Sequence, residues 1–255
     1  MKLIYDIGAH IGKDSLFYLQ KGFNVVAVEA NPYCCAEIKK RLGGYIRRGR
    51  LHLVEGAISE ELSPIDFLVN VTHHDWGTVD PRWNEQYDSD IVQVKATPVA
   101  LGSLLDCQFF LSPKTPYYMK IDIEGGDAMC IRQLKGRELP KYISAELLTF
   151  NNFENKNTDP TEVITALLDV GYTKFKIVDQ SLNHETKCPK PSKEGKYVDY
   201  EFDGYCSGLF GKELPGDWVD IEDILFQYIH YFYEKPNCIG ESLNEEGWFD
   251  LHATY

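Results

Sequence analysis

Short apolar runs alternate with amphipathic stretches through the first 180 residues of the chain. The apolar runs predict buried strands, and the stretches whose apolar residues recur every three or four positions predict helices. The predicted strands are residues 3–7, 25–28, 51–55, 117–121, 142–147 and 174–178. The predicted helices are residues 14–21, 32–42, 128–134 and 159–170. This alternation is typical of an α/β protein with a mostly parallel sheet.

The pattern changes between residues 65 and 101 and again after residue 180. Two strand-like runs, 67–71 and 91–94, are separated by polar residues and predict an inserted hairpin or flap. Residues 180–203 are polar without periodicity and predict a mobile loop. Beyond them, residues 207–211 predict a closing edge strand, and residues 221–233 predict an aromatic helix used for packing.

A chain of 255 residues with 44% hydrophobic content can bury one large core. We therefore expect a single domain over residues 1–255. It has a core over about residues 1–180, a loop over 180–204, and a C-terminal strand and helical extension over 205–255.

The net charge of −13 argues against a protein that grips nucleic acid through phosphate contacts. The basic residues between 39 and 50 fit a solvated helix end. Seven scattered cysteines without a Cys-x-x-Cys pair favour reduced thiols. No leader or membrane span is apparent, so we expect a cytoplasmic protein that does not contact a membrane.

The first strand leads directly into a turn framed by Gly8 and Gly12. Glycine permits positive φ, and the N-terminus of the helix that follows presents unpaired N–H groups to a ligand. The second strand ends in Glu29, about 20 residues later, where a carboxylate accepts the hydroxyls of a ribose. The Gly-x-x-x-Gly spacing differs from the dinucleotide fingerprint, so S-adenosylmethionine is favoured over NAD.

The strand over residues 117–121 also ends in charged residues. Lys120, Asp122 and Glu124 share a face by the period of two, and a buried face needs such charges paired. We expect this strand end to border a cleft, with Lys120 neutralised by a neighbour such as Glu146. Asp122, Glu124 and Asp127, with Asp75 from the flap, also suit a divalent metal, although Asp127 equally suits the first turn of its helix.

The flap supplies the residues suited to proton transfer. His73, His74 and Asp75 stand beside Trp76, and Trp83 follows. Histidine has the pKa range for a general base, and aromatic rings suit the apolar face of a sugar. We favour a histidine base helped by Asp75 or Asp122 over a metal. A polar loop tip without chemistry is the alternative.

Several landmarks in order resemble one family. "YDIGAHIGKDSLFYL", "VAVEANP", "EGAIS", "YMKIDIEGGDAMCIRQL" and "ISAEL" resemble the FkbM-type S-adenosylmethionine-dependent methyltransferases over about residues 3–150. The resemblance implies a Rossmann-like class I methyltransferase fold: a seven-stranded sheet with helices on both faces and its last strand antiparallel. It also implies methylation of a hydroxyl, frequently on a sugar, and so a role in glycan modification.

The resemblance carries cofactor-binding roles to particular positions in this chain. They are Asp6, Gly8, His10, Gly12, Glu29, Ala30, Glu55, Gly56, Ala57 and Asp122. The first four form the loop for the methionine moiety, with His10 where the family usually has asparagine. Glu29 matches the ribose acceptor, Glu55 and Ala57 lie at the adenine edge, and Asp122 faces the amino group or the methyl-transfer centre.

Two other functions fit the same loop. A non-catalytic sensor of S-adenosylmethionine or a nucleotide needs Gly8, Gly12 and Glu29 but no base. A nicotinamide oxidoreductase would use the same loop and the same carboxylate.

Overall fold

A computed structural model describes residues 1–61, 63–72, 77–80, 91–107, 109–110, 115–147, 161–204, 206–229 and 249–255. Its strands are β1 (Leu3–Ile7), β2 (Asn24–Glu29), β3 (Leu51–Glu55), β4 (Ala57–Ile58), β5 (Ile65–Asn70), β6 (Ile91–Ala96), β7 (Pro98–Val99), β8 (Tyr118–Ile121), β9 (Tyr142–Leu147), β10 (Lys174–Asp179) and β11 (Phe249–Thr254). Its α-helices are α1 (Lys13–Gln20), α2 (Pro32–Arg47), α3 (Leu101–Asp106), α4 (Asp127–Arg132), α5 (Glu162–Val170) and α6 (Ile221–Ile229).

Seven strands form one sheet in the order β10-β11-β9-β8-β1-β2-β3. All pairs are parallel except those of β11, which runs antiparallel to both β9 and β10. The first strands are buried along their whole length, which explains their continuous apolar runs. The predicted Rossmann-like, seven-stranded sheet with an antiparallel last strand is confirmed.

Helices cover both faces of this sheet. Residues from α3, α4, α5 and α6 pack on one face, and residues from α1 and α2 pack on the other. Ile224 and Tyr228 of α6 are buried, so its aromatic stripe is packing surface as predicted. Within the described ranges, no helix is long and apolar enough to cross a membrane.

Helix α2 begins as its sequence predicts and ends later. The Asn31 side chain accepts a hydrogen bond from the Tyr33 N–H, and Pro32 occupies the first helical turn. The predicted end near Leu42 is wrong because the helix continues through two glycines to Arg47. The additional turn packs Tyr45 and Ile46 against the core, which offsets the low helix propensity of glycine.

The inserted hairpin is confirmed. β5 and β6 pair antiparallel from Ile65 opposite Ala96 to Asn70 opposite Ile91. Thr78 forms an isolated antiparallel bridge with Leu68, on the strand β5. Residues 77–80 therefore return alongside the hairpin.

The polar segment after β10 is structured and packs against α1. Residues 180–185 form a 3₁₀ helix, and the following chain packs along α1. At the far end of α1, the Lys196 N–H donates to the Lys21 carbonyl oxygen at 2.8 Å. At its near end, the Tyr200 hydroxyl donates to the Lys13 carbonyl oxygen at 2.9 Å. The prediction of an unstructured loop is wrong, because these contacts hold the segment against α1.

The predicted edge strand over residues 207–211 is also wrong. Gly208 and Gly211 have φ of 82° and 61°, which a β-strand cannot contain without interruption. Phe210 instead turns inward and stacks on Tyr118 with ring centroids 4.6 Å apart. The sheet is completed by β11, which lies between β9 and β10.

Candidate functional site

The turn after β1 lies at the carboxyl edge of the parallel strands. Gly8, His10 and Gly12 have φ of 79°, 48° and 77°, so the turn contains three left-handed residues. A Cβ atom on Gly8 would lie 1.7 Å from the carbonyl oxygen of Asp122. Only glycine therefore allows the β1 turn and the end of β8 to approach this closely. Ligands of open α/β sheets bind at this edge.

Glu29 lies next to this turn at the end of β2. Its carboxylate accepts hydrogen bonds from the His10 N–H and the Asn31 N–H, both at 2.7 Å. Burial raises the pKa of Glu29 to about 7, although these backbone donors act to lower it. A carboxylate offers about four acceptor positions, so the group keeps capacity for hydroxyls of a ligand.

Lys120 lies at the centre of an acidic cluster. Its Nζ atom is 3.1 Å from Asp122, 3.6 Å from Asp14 and 3.7 Å from Asp6. Burial acts to lower the pKa of Lys120, but the surrounding carboxylates outweigh it and hold the pKa well above its usual value. The expected partner Glu146 is therefore wrong as the neutralising group, because three aspartates surround the ammonium.

Two of these aspartates connect α1 to other parts of the fold. Asp6 accepts a hydrogen bond from the Ser15 hydroxyl at 2.6 Å. Both oxygens of Asp14 accept from the Ser207 N–H, at 3.0 and 3.1 Å. Burial raises the pKa of Asp14 to about 6. Asp14 was not predicted as a site residue because its position in the first turn of α1 has an ordinary helix-dipole explanation.

Asp250 is a second residue that the sequence did not reveal. It lies on β11 opposite Glu146 of β9, and its side chain is buried. The Gln180 side chain donates a hydrogen bond to its Oδ1 atom at 2.5 Å. Burial and the charge of Asp122 raise the pKa of Asp250 well above its usual value. The last strand therefore brings another carboxyl to the cluster.

The candidate metal ligands differ from those expected. Asp122, Glu124 and Glu146 place one carboxylate oxygen each within 4.8 Å of one another, which is compatible with a divalent cation. Asp127 is instead buried beneath the turn, where its oxygens accept from the Ile123 and Glu146 N–H groups at 3.4 Å. Its pKa is raised to about 7 by burial. Asp127 as a metal ligand is therefore wrong, because it binds backbone donors.

The flap contacts the ligand edge through Thr78. Its buried hydroxyl donates to the Glu124 carbonyl oxygen at 2.7 Å. Glu124 has φ of 49°, so this contact stabilises a turn that a residue with a side chain rarely adopts. His73, His74, Asp75, Trp76 and Trp83 lie outside the described residues, and their predicted roles stay predictions.

The predicted adenine side lies one strand further along the same edge. Glu55 is in register with Glu29 and forms a half-exposed ion pair with Lys39 at 2.6 Å. The Gly56 N–H donates to the Glu29 carbonyl oxygen at 2.8 Å. Ala57 is buried, and Ala30 packs against the same small cluster. The structure thus brings these predicted positions together beside Glu29.

The model of the "Methyltransferase FkbM domain" family matches residues 6–174 of the sequence. The chain belongs to the FkbM methyltransferase family. Its match begins at Asp6 and includes β2, β8 and β9, the strands that end at the site. The match ends at Lys174, so the FkbM model does not include Gln180 or Asp250.

The fold is similar to those of solved methyltransferases at low sequence identity. The FkbM methyltransferase from Methylobacillus flagellatus KT is 16% identical, with a TM-score of 0.39 over 70% of this chain and 39% of that one. Precorrin-6y C5,15-methyltransferase from Geobacter metallireducens GS-15 is 13% identical, with a TM-score of 0.41 over 99% of this chain and 79% of that one. A SAM-dependent methyltransferase from Archaeoglobus fulgidus is 12% identical, with a TM-score of 0.42 over 100% of this chain and 86% of that one. No curated protein matches the sequence.

Proposed function

We propose that this FkbM protein transfers a methyl group from S-adenosylmethionine to a hydroxyl of a sugar or another small acceptor. The observation that carries the proposal is the charge of the ligand edge. Lys120 is already surrounded by three aspartates, and Glu29 adds a fourth carboxylate beside the glycine turn. A cationic ligand is compatible with this edge.

The same charges argue against a nicotinamide cofactor. A dinucleotide carries a pyrophosphate that must lie at the turn after β1, close to Asp6 and Asp14. Like charges placed together in an interface cost several kcal/mol. Bound S-adenosylmethionine instead supplies an electrophilic methyl group on a positively charged sulfur.

The proposed cofactor contacts follow the order of the strands along the edge. Gly8 and Gly12 shape the turn for the methionine moiety, with the Asp6 carboxylate buried beneath it. Glu29 accepts the ribose hydroxyls through its remaining lone pairs. Glu55 and Ala57 lie on the adenine side, and Asp122 faces the transfer centre.

Acceptor activation requires the removal of one hydroxyl proton. We assign this role to His74 or its neighbour His73, oriented by Asp75 or Asp122. The contact of Thr78 with the Glu124 carbonyl supports this assignment, because it holds the described end of the flap at the ligand edge. A positioned base contributes roughly 10²–10⁴-fold to such a reaction. A divalent ion on Asp122 and Glu124 is the less favoured route.

Calorimetry followed by an activity assay tests the proposal. We expect S-adenosylhomocysteine to bind with micromolar affinity and NAD to bind at least about 100-fold more weakly. Formation of S-adenosylhomocysteine is then measured with neutral, amino and phosphorylated sugars as acceptors. Equal binding of NAD would overturn the cofactor assignment. Cofactor binding without transfer to any acceptor would favour a sensor over an enzyme.

A further inference from the structure

The strand β11 brings a carboxyl to the Lys120 cluster that no cofactor motif of the chain includes. Asp250 lies opposite Glu146 of β9 and, two residues on, His252 lies opposite Ser144. Ser144 in turn lies opposite Lys120 of β8. Because alternate residues share a face, Asp250 projects from the same face as Lys120, one row nearer the carboxyl edge.

Within the described part of the chain, little positive charge acts on Asp250. The described charged groups that act on it most strongly are Asp122, Lys120 and Asp14, from the end of β8, from β8 itself and from α1. Lys120 is the cation among them, and it already contacts Asp122, Asp14 and Asp6 within 4.0 Å. On the same strand, burial lowers the pKa of His252 to about 3, so this imidazole is neutral.

The other described contacts of Asp250 bring no positive charge to it. Gln180 donates one hydrogen bond to its Oδ1 atom, and its register partner on β10 is Val178. Its side chain is 2% exposed, so water supplies little compensation. A positive charge arriving beside this cluster would therefore be attracted more strongly than a neutral group of equal shape.

We propose that Asp250 is the residue by which the site distinguishes a positively charged ligand at the transfer centre from a neutral one. This inference rests on the proposed function, because the cofactor is a sulfonium and the product S-adenosylhomocysteine is a neutral thioether. Asp250 favours the charged form before transfer and loses that attraction afterwards. It acts as a specificity-determining residue without taking part in bond formation.

The test compares two ligands that differ in this charge. Sinefungin carries an amine where the cofactor has its sulfonium methyl, and S-adenosylhomocysteine has an uncharged sulfur. The variant Asp250→Asn keeps the shape of the side chain and an oxygen for the Gln180 donor. We expect sinefungin to weaken by about five- to tenfold relative to S-adenosylhomocysteine in this variant, measured by calorimetry.

Asp179→Asn is the matched control. Asp179 ends the neighbouring strand β10 in register with Phe249, so it projects from the opposite face to Asp250. The Asp179→Asn variant makes the same carboxyl-to-amide change away from the Lys120 cluster, and we expect the ratio of the two dissociation constants to stay within twofold of wild type. An equal ratio in wild type and Asp250→Asn overturns the inference and leaves the proposed function intact. Wild-type protein that binds neither ligand overturns both.

A measurement on the wild-type protein decides the matter if Asp250→Asn does not fold. We expect wild-type protein to bind sinefungin at least about fivefold more tightly than S-adenosylhomocysteine, measured by calorimetry. Equal affinity for the two ligands overturns the inference.

Discussion

The Glu29 carboxylate allows a quantitative test of cofactor binding. Its two oxygens accept backbone N–H groups of His10 and Asn31 at 2.7 Å, and a carboxylate with about four acceptor positions keeps capacity for ribose hydroxyls. In Glu29→Gln, one oxygen becomes an NH₂ group that faces a backbone N–H, so one hydroxyl contact is lost. Hydrogen bonds to charged groups contribute about 1.5–3 kcal/mol, which predicts a loss of about 10–150-fold in S-adenosylhomocysteine affinity.

The pKa of Glu29 adds a second, independent signature. Burial raises this pKa to about 7 in the free protein, and accepting two hydroxyls requires the ionised form. S-adenosylhomocysteine should therefore bind most tightly above pH 7, and its affinity should fall by up to about tenfold for each pH unit below 7. Glu29→Gln should abolish most of this dependence.

Calorimetry at several pH values measures both effects. Glu37→Gln is the control, because Glu37 forms an ion pair with Lys40 on α2 and lies outside the proposed site. Wild-type affinity that is independent of pH, together with a loss below twofold in Glu29→Gln, would show that Glu29 does not bind the ribose.

Three further predictions concern the base, the buried acids and the flap. His74→Ala should reduce turnover by at least about 100-fold in an assay that survives chelation, whereas activity that disappears with chelator and returns with Mg²⁺ would favour a metal. The pKa values of Asp14, Asp127 and Glu29 are raised to about 6, 7 and 7. Proton uptake by these groups therefore adds to the free energy of unfolding at low pH, and this contribution is lost as the pH rises to 7. Thermal melting should therefore show a higher midpoint at pH 5 than at pH 8, and Glu29→Gln should reduce the difference; the opposite slope would contradict these burial effects. Thr78→Val should lower stability by about 1 kcal/mol and speed amide exchange over residues 77–80, while Thr78→Ser retains the hydrogen bond and should resemble wild type.

The positions of the site residues next to the first two strands were predictable from local sequence. Gly8, Gly12 and Glu29 are close in sequence to the strands that place them, so strand pattern and spacing were sufficient. The hairpin over β5 and β6 was predicted from its change to a period of two. These elements depend on interactions between neighbouring residues, and their signal is present in any short window.

The contacts of Lys120 show why the rest was not predictable. Asp6 and Asp14 precede it by more than 100 positions, and both have simpler local explanations as capping or first-turn residues. Asp250 could not be predicted for another reason, because its position depends on the placement of β11 between β9 and β10. Sequence periodicity indicates that a strand exists but does not indicate which strands it pairs with.

The position of β11 also has a consequence for synthesis of the protein. Phe249 and its neighbours pair with Leu147 and its neighbours, which are 102 positions earlier in the chain. At roughly 5–20 residues per second, the ribosome needs about 5–20 s to make the intervening segment. During that interval β9 has an unpaired edge, and β10, which is already made, is available as an incorrect partner. This nascent chain is therefore expected to depend on chaperones that shield exposed strand edges until β11 has left the ribosome.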